Sequence, residues 1–253
     1  MTITIPSNFL ATAKISGLVA LVFLLAACAQ KPAPSGINDP DEANNRKMHA
    51  FNLALDETIL KPLSSGYGGV PGPLKDGLTN FADNLDVPGD VVNNLVQGRP
   101  DYALENTLRF AVNTILGIGG LFDPASELGI MGKETDFGET LHVYGFGEGA
   151  YVELPLLGPS TERDVVGSIV DVGLNPVRLL LPSPESYVGT VAGLASRLGD
   201  RSQYSDTLDS ILYQSADSYA QLRLLYLQNR RFELGQTIGD DSFLDPYEDP
   251  YGQ

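Results

Sequence analysis

The sequence predicts a mainly α-helical protein, a single domain of short amphipathic helices with an irregular, Gly/Pro-rich middle. Three observations predict it. Apolar residues recur at steps of three and four along most of the chain, the period of one helical face. Proline and acidic residues stand where such runs begin, as at Asp39-Pro40 and Pro88, which is where helices start. Strand-like pieces are confined to short stretches near 142–154, among the glycines that run from Gly117 to Gly158.

Residues 1–27 read as a signal peptide. Lys14 is the only charge before residue 31, and an apolar run from Ile15 to Ala27 leads into Leu25-Ala26-Ala27-Cys28. That is a positive start, a short apolar stretch and a small-residue cleavage site, and the run is short for a spanning helix of about 20 residues. Leu-Ala-Ala-Cys resembles the bacterial lipobox, in which the cysteine is acylated and becomes the new N-terminus, so Cys28 is the expected lipidation site. An ordinary signal peptide with a chance cysteine is the alternative. Cys28 is the only cysteine, so no internal disulfide forms. Ala29 follows it, where aspartate in such lipoproteins favours the inner membrane; alanine looks like an outer-membrane address.

Residues 28–38 are expected to form a flexible tether, 39–235 a helical body, and 236–253 an acidic disordered tail. Cleavage removes Lys14 and shifts the formal net charge from −16 to −17. Such a surface is a poor partner for nucleic acid or anionic headgroups, so any contact of the body with lipid must come from apolar burial.

In the body, Asp39, Pro40 and Glu42 suit a capping box. Met48, Phe51, Asn52, Leu55 and Ile59 share one face, and Lys61-Pro62 is expected to end that helix. Leu74, Leu78, Phe81 and Leu85 make a second helix and Pro88 starts a short third. Tyr102, Leu104, Leu108, Val112 and Ile115 make a fourth. Within the irregular middle, His142–Tyr144 and Tyr151–Leu154 are candidate strands. Helical signals resume after Ser160 and at Ser183-Pro184-Glu185, and the longest helix is expected from Ser205 to Arg231.

Two uncharged runs, Phe110–Phe122 and Ser186–Ala195, are too short to span a bilayer and suit either a soluble core or an interfacial segment. The second contains Gly189-x-x-x-Gly193, a spacing that permits close helix approach. Asn106, Arg109 and Asn113 lie at i, i+3 and i+7 inside the apolar fourth helix, on one face. A cation flanked by amides suits a wet path for phosphate headgroups; it suits equally well a tie to loop carbonyls. Signals for catalysis are weak. His49 and His142 are isolated, Gly158-Pro159-Ser160 is no nucleophile elbow, and no zinc pattern exists. Gly145-x-Gly147-x-Gly149 is no dinucleotide fingerprint. No enzyme activity, cofactor or metal is expected.

A series of ordered motifs resembles the MlaA (VacJ) family of outer-membrane lipoproteins. It runs through Asp39-Pro40-x-Glu42-x-x-Asn45-Arg46, Val70-Pro71-x-Pro73, Asn80-Phe81, Asn93-Asn94-Leu95 and Gln97-Gly98. It continues with Arg109-Phe110-x-x-Asn113-Thr114, Asp136-Phe137-Gly138-x-Thr140-Leu141, Gly147-x-Gly149-x-Tyr151 and Gly158-Pro159-Ser160. Arg163-Asp164, Ser215-x-Asp217-x-Tyr219 and Arg223-x-x-Tyr226 close it. The chain departs at Ala43-Asn44, where the family usually has Gly-Phe, and at Glu139, where glutamine is common. The resemblance implies a helical ring in the inner, periplasmic leaflet of the outer membrane of a Gram-negative bacterium, with an amphipathic channel. It implies removal of mislocalised phospholipids from the outer leaflet and their transfer to a periplasmic lipid-carrier protein, together with association with a trimeric porin. The alternatives are a binding or scaffold lipoprotein with a soluble body and a lipid hydrolase.

Overall fold

A computed structural model describes residues 36–175 and 187–236. Cys28, the signal peptide, nearly all of the tether, the Ser183-Pro184-Glu185 cap and the acidic tail lie outside the described residues.

The first helix, α1 (Glu42–Leu55), continues through a π-helical turn (Asp56–Leu60) into α2 (Lys61–Gly68). Lys61-Pro62 therefore does not end the helix. Pro62 has no N–H to give the carbonyl four residues back, and the wider π turn takes up the mismatch: Lys61 N–H donates to Asp56 O, five residues back. Likewise Pro88 starts no new helix. It sits inside α3 (Gly72–Val96), the longest helix among the described residues. A short turn then leads to α4 (Pro100–Ile115).

The middle holds α5 (Pro124–Glu127) and α6 (Phe137–Val143), then a hairpin of β1 (Tyr151–Leu154) and β2 (Gly158–Thr161). The strands are antiparallel, with Tyr151 opposite Thr161. His142 and Val143 are helical instead of extended, because Asp136 caps α6 by accepting from Glu139 N at 2.7 Å. The chain goes on through α7 (Glu162–Leu174), α8 (Val188–Gln203), α9 (Ser205–Asp209), a second π turn (Ser210–Gln214) and α10 (Ser218–Glu233). The long helix expected from Ser205 to Arg231 is thus broken: Ser215 is extended, and Asp217 caps α10 by accepting from Ala220 N.

Contacts between elements close a circuit. α1 packs on β1; β1 pairs β2; β2 meets α7; α7 packs on α6; α6 meets α3; α3 packs on α8; α8 packs on α2, which continues α1. At the α6–α7 step the backbones nearly touch: a Cβ added at Gly167 would lie 2.4 Å from Gly138 N. At the α3–α8 step a Cβ at Gly189 would meet Leu85 at 3.6 Å, whereas Gly193 faces open space, so only the first glycine of that motif serves close packing.

The apolar core is small. Among the described residues its cluster of buried side chains is Tyr151, Tyr219 and Leu227, with Ile37 and Tyr226 against it. Ile37 and Asn38, at the end of the expected tether, are seated on this body: Tyr151 N donates to Asn38 O at 2.8 Å and Asn38 Nδ2 donates to Gly149 O. Most other buried side chains are polar or alanine.

Candidate functional site

The helices are turned inside out relative to a water-soluble protein. In α4, Leu104, Leu108 and Ile115 fall within about 40° of one another on a 3.6-residue wheel, opposite Asn106, Arg109 and Asn113. The leucine–isoleucine face is the exposed one: Ile115 is 75% exposed and Asn106 2%. The uncharged run continues the pattern, with Leu116, Ile118, Leu121 and Phe122 all exposed. α8 repeats it with Val188, Val191 and Leu194, and α7 with Ile169 and Val172. A soluble core for these segments is excluded by their position. Surface of this extent and apolarity marks a face that another apolar medium covers. No helix among the described residues is long and apolar enough to cross a membrane.

In α1 the buried stripe is likewise polar. Asn45, His49 and Asp56 are buried and Asn52 half-buried, whereas Phe51 and Ile59 of the expected apolar face are exposed. Asn45 donates to Tyr151 O at 3.1 Å and accepts from Glu153 N at 3.0 Å. His49 Nε2 lies 2.9 Å from Ser218 Oγ and Asn52 donates to Leu154 O at 2.9 Å. Asp56, in the π turn, accepts two bonds from Arg201 and one from Tyr213 of the second π turn. Asp39 forms no cap for α1. Its carboxylate accepts from Asn45, Tyr219 and Arg223 instead, which holds the start of the body to α10. Stripes of this kind satisfy the rule that buried polar groups find partners, and here they do the work an apolar core does elsewhere.

The polar face of α4 grips the loop that follows it. Asn106 donates to Lys133 O and accepts from Lys133 N, both at 2.8 Å. Arg109 donates to Ile130 O, Ser126 Oγ and Asp123 Oδ2, and Asn113 donates to Asp123 Oδ1 and accepts from Ala125 N. Gly132 sits at φ +73° with its missing Cβ 2.3 Å from Asn106 Oδ1, a place only glycine fills without strain. The three residues singled out in the sequence are therefore together, and they tie down loop carbonyls. Burial would raise Asp123, but bonds from Ser126 and Asn113, with Arg109 nearby, hold its carboxyl below the usual range.

Asn106 and Arg109 also line a cavity of about 770 Å³ between α3, α4, the 131–136 loop, α7 and α10. Pockets of roughly 300–1,000 Å³ accept small ligands or parts of larger ones. Its wall is acidic. Asp83, Asp86 and Asp90 project from one face of α3, Glu134 comes from the loop, and Asp171 from α7. Burial pushes Asp90 up to about 7, against one backbone bond from Thr135, and repulsion from Glu134, Asp86 and Asp171 adds to it. Asp83 is pushed up to about 6, by burial first and then by Glu134 and Asp86. The cations on the wall are Arg109, Lys133 and Arg230. Arg230 is taken by Asp136 at 2.7 Å, Asp164 at 3.1 Å and Glu233 at 3.2 Å. Lys133 makes no ion pair among the described residues. Sequence reasoning missed Asp83, Asp90 and Lys133, although acids at i, i+3 and i+7 of α3 form a readable stripe.

An apolar exterior, a polar interior and a polar cavity among helices too short to span define a class: a helical protein built to sit against lipid with a wet interior. The comparisons narrow it. The model of the MlaA lipoprotein family matches residues 37–233, and the chain belongs to that family. It is 38% identical over 248 residues to the intermembrane phospholipid transport system lipoprotein MlaA of Escherichia coli strain K12, covering 95% of this chain and 94% of the relative. It is 34% identical over 207 residues to the protein of the same description in Haemophilus influenzae, covering 78% and 79%. A solved structure described as the structural basis for maintenance of bacterial outer membrane lipid asymmetry superposes with a TM-score of 0.67. That structure shares 33% identity, over 78% of this chain and 98% of that one.

Proposed function

We propose that this chain is an outer-membrane lipoprotein of intermembrane phospholipid transport. It removes mislocalised phospholipids from the outer leaflet and passes them to a periplasmic lipid-carrier protein, maintaining lipid asymmetry without chemical change to the lipid. Its body sits in the inner, periplasmic leaflet, held there by acyl chains on Cys28 and by its own apolar surface, beside a trimeric porin. The observation that carries this reading is the exposed apolar face of α4, α7 and α8, set in α4 directly opposite buried asparagines. Burial of apolar area gives about 25 cal/mol per Å², a term salt does not screen, which suits a body with many more acids than bases. The circuit of contacts suits a ring, and the cavity suits the headgroup's path; the candidate contacts are Asn106 and Arg109 on its wall and Asn113 behind them, through the polar face they share with the loop they hold.

The test is a deletion strain carrying either the intact gene or a Cys28→Ala variant. Phospholipid exposed on the cell surface is measured by its accessibility to an added phospholipase on intact cells. The intact gene should restore a low level and Cys28→Ala should not. Equal surface phospholipid in all three strains would refute the transport role. A scaffold with a soluble body predicts that residues 38–253 stay monomeric without detergent. A hydrolase predicts release of fatty acid or headgroup.

A further inference from the structure

We propose, building on the transport reading, that the cavity selects phospholipids by headgroup charge: it favours a headgroup ending in an ammonium over one of net negative charge. The phosphate would meet Lys133 and the ammonium would meet Asp83, Asp90 and Glu134.

The argument starts from what is left unpaired. Around the cavity, Asp136 and Glu233 are paired to Arg230 and Glu139 to Arg99. Asp171 accepts from Asn93 Nδ2 at 2.8 Å and Phe137 N at 3.0 Å. Arg109 is committed to Asp123. These groups belong to the fold. Asp83, Asp90 and Glu134, all on the wall, make no ion pair among the described residues. Lys133 is the one cation on this wall that makes no ion pair among the described residues. Its backbone is clamped on both sides by Asn106, so its position beside Glu134 is fixed.

A wall that carries one cation without an ion pair among the described residues and several such carboxylates matches a phosphate linked to an ammonium. It repels a phosphodiester whose far end is neutral, because that headgroup brings a negative charge to a negative wall with nothing to offset the carboxylates. Burial first, and then repulsion from Glu134, raises the proton affinity of both Asp83 and Asp90, and an incoming cation relieves the repulsion. α3 holds the two at a separation of about 10 Å along the helix, at about 1.5 Å per residue, so a headgroup passing along the wall meets carboxylates in succession.

The experiment uses the full-length chain purified in detergent and mixed with vesicles of equal parts phosphatidylethanolamine and phosphatidylglycerol, in EDTA. Lipid that stays with the re-isolated protein is counted by mass spectrometry. Ethanolamine lipid should be enriched about three- to tenfold, the size that a few partly screened charges supply. An Asp83→Asn, Asp90→Asn double variant should keep its helical circular dichroism and lose the enrichment. Lys133→Gln should lower total lipid. Equal loading of the two lipids by the unaltered chain, or enrichment that survives the double variant, overturns the proposal and leaves the transport reading standing. Enrichment of the glycerol lipid that appears when Mg²⁺ replaces EDTA would mean a metal-bridged phosphate and would also overturn it. Absence of both lipids from the protein would overturn the transport reading and this proposal together.

Discussion

Asp164 and Asp90 are both aspartates largely withdrawn from water, and both would be raised by that burial alone. Asp164 lies where α7 meets α10. It accepts from Thr161 Oγ1 and Tyr226 Oη, each at 2.8 Å, and is paired with Arg163 and Arg230. Those partners more than offset burial and hold it below the usual carboxylate range. Asp90, on the cavity wall, has the Thr135 N–H and a field of like charge, and stands near 7. The same side chain serves two ends. In the seam between α7 and α10 each charge is answered and the charge is part of the fold. On the cavity wall the fold tolerates charges it does not answer, as a surface that waits for a ligand must.

Removing Arg230 should have the largest effect. Arg230→Ala leaves Asp164 with one of its two cations and strips Asp136, and breaking a buried pair from one side costs about 3–5 kcal/mol. Denaturant unfolding in detergent should show it, and adding Asp164→Ala should recover part of the loss through coupling. A loss below about 1 kcal/mol would mean that the seam is no more committed than the wall.

The α4 clamp comes next. Asn106→Ala orphans Lys133 N, at about 1–3 kcal/mol when left unpaired, while Lys133 O keeps its bond from Asn94 Nδ2 at 3.1 Å. Asn106→Asp keeps the acceptor but not the donor and should cost less. Both are read by the same unfolding curves. A variant as stable as the parent would show that the loop is held elsewhere.

Asp90→Asn should act in the opposite direction. The folded state binds this proton more tightly than the unfolded chain, whose carboxyl titrates near 3.8. The stability it contributes is thus fully present below about 4 and is lost as pH rises through about 7. At pH 8 the variant should be more stable than the parent by about 1–2 kcal/mol, after allowance for solvent on a half-open wall. The difference should vanish below pH 4. A destabilised variant at pH 8 would break the contrast with Asp164, whose stabilising effect is lost only as pH falls below the ordinary carboxylate value.

The smallest change in folding stability should come from the exterior. Replacing Leu104, Leu108 and Ile115 together by Gln alters side chains that touch little protein, so stability in detergent should stay within about 0.5 kcal/mol. Flotation of the unlipidated body with vesicles should fall sharply at low and high salt alike. Unchanged flotation would place the lipid contact on other helices.

Much of the helical content was legible in the sequence, because a 3.6-residue period shows whichever face is buried. Which face is buried was not legible for α1, since its apolar stripe carries Phe51 and Ile59, both exposed, while the fold buries Asn45, His49 and Asp56. The period is the same and the sign is reversed. Prolines misled for a related reason: Pro62 and Pro88 are punctuation for an isolated helix, yet π-turn geometry before one, and tertiary packing around the other, carry the helix onward. The grouping of Asn106, Arg109 and Asn113 was visible from spacing alone. The loop they grip was not, because it is joined through Gly132 and Asp123, residues that read as mere breaks. Asp83 and Asp90 read as ordinary water-facing acids, and Asp83 is indeed exposed; what sets them apart is the cavity they border, which no spacing announces.

The meeting of Asp39 with Tyr219 and Arg223 joins residues some 180 positions apart, and it has a consequence for how the protein is born. Asn45, His49 and Arg46 also reach partners in the hairpin or in the segment from Asp217 onward. The first helix to be synthesised therefore has no resting place until the last has been delivered. Contacts of such long range are slow to form, and a half-made chain would show both its leucines and its unmatched asparagines to the solvent. The chain thus stays an open thread until its last helix is made, and closure becomes the final event of its assembly.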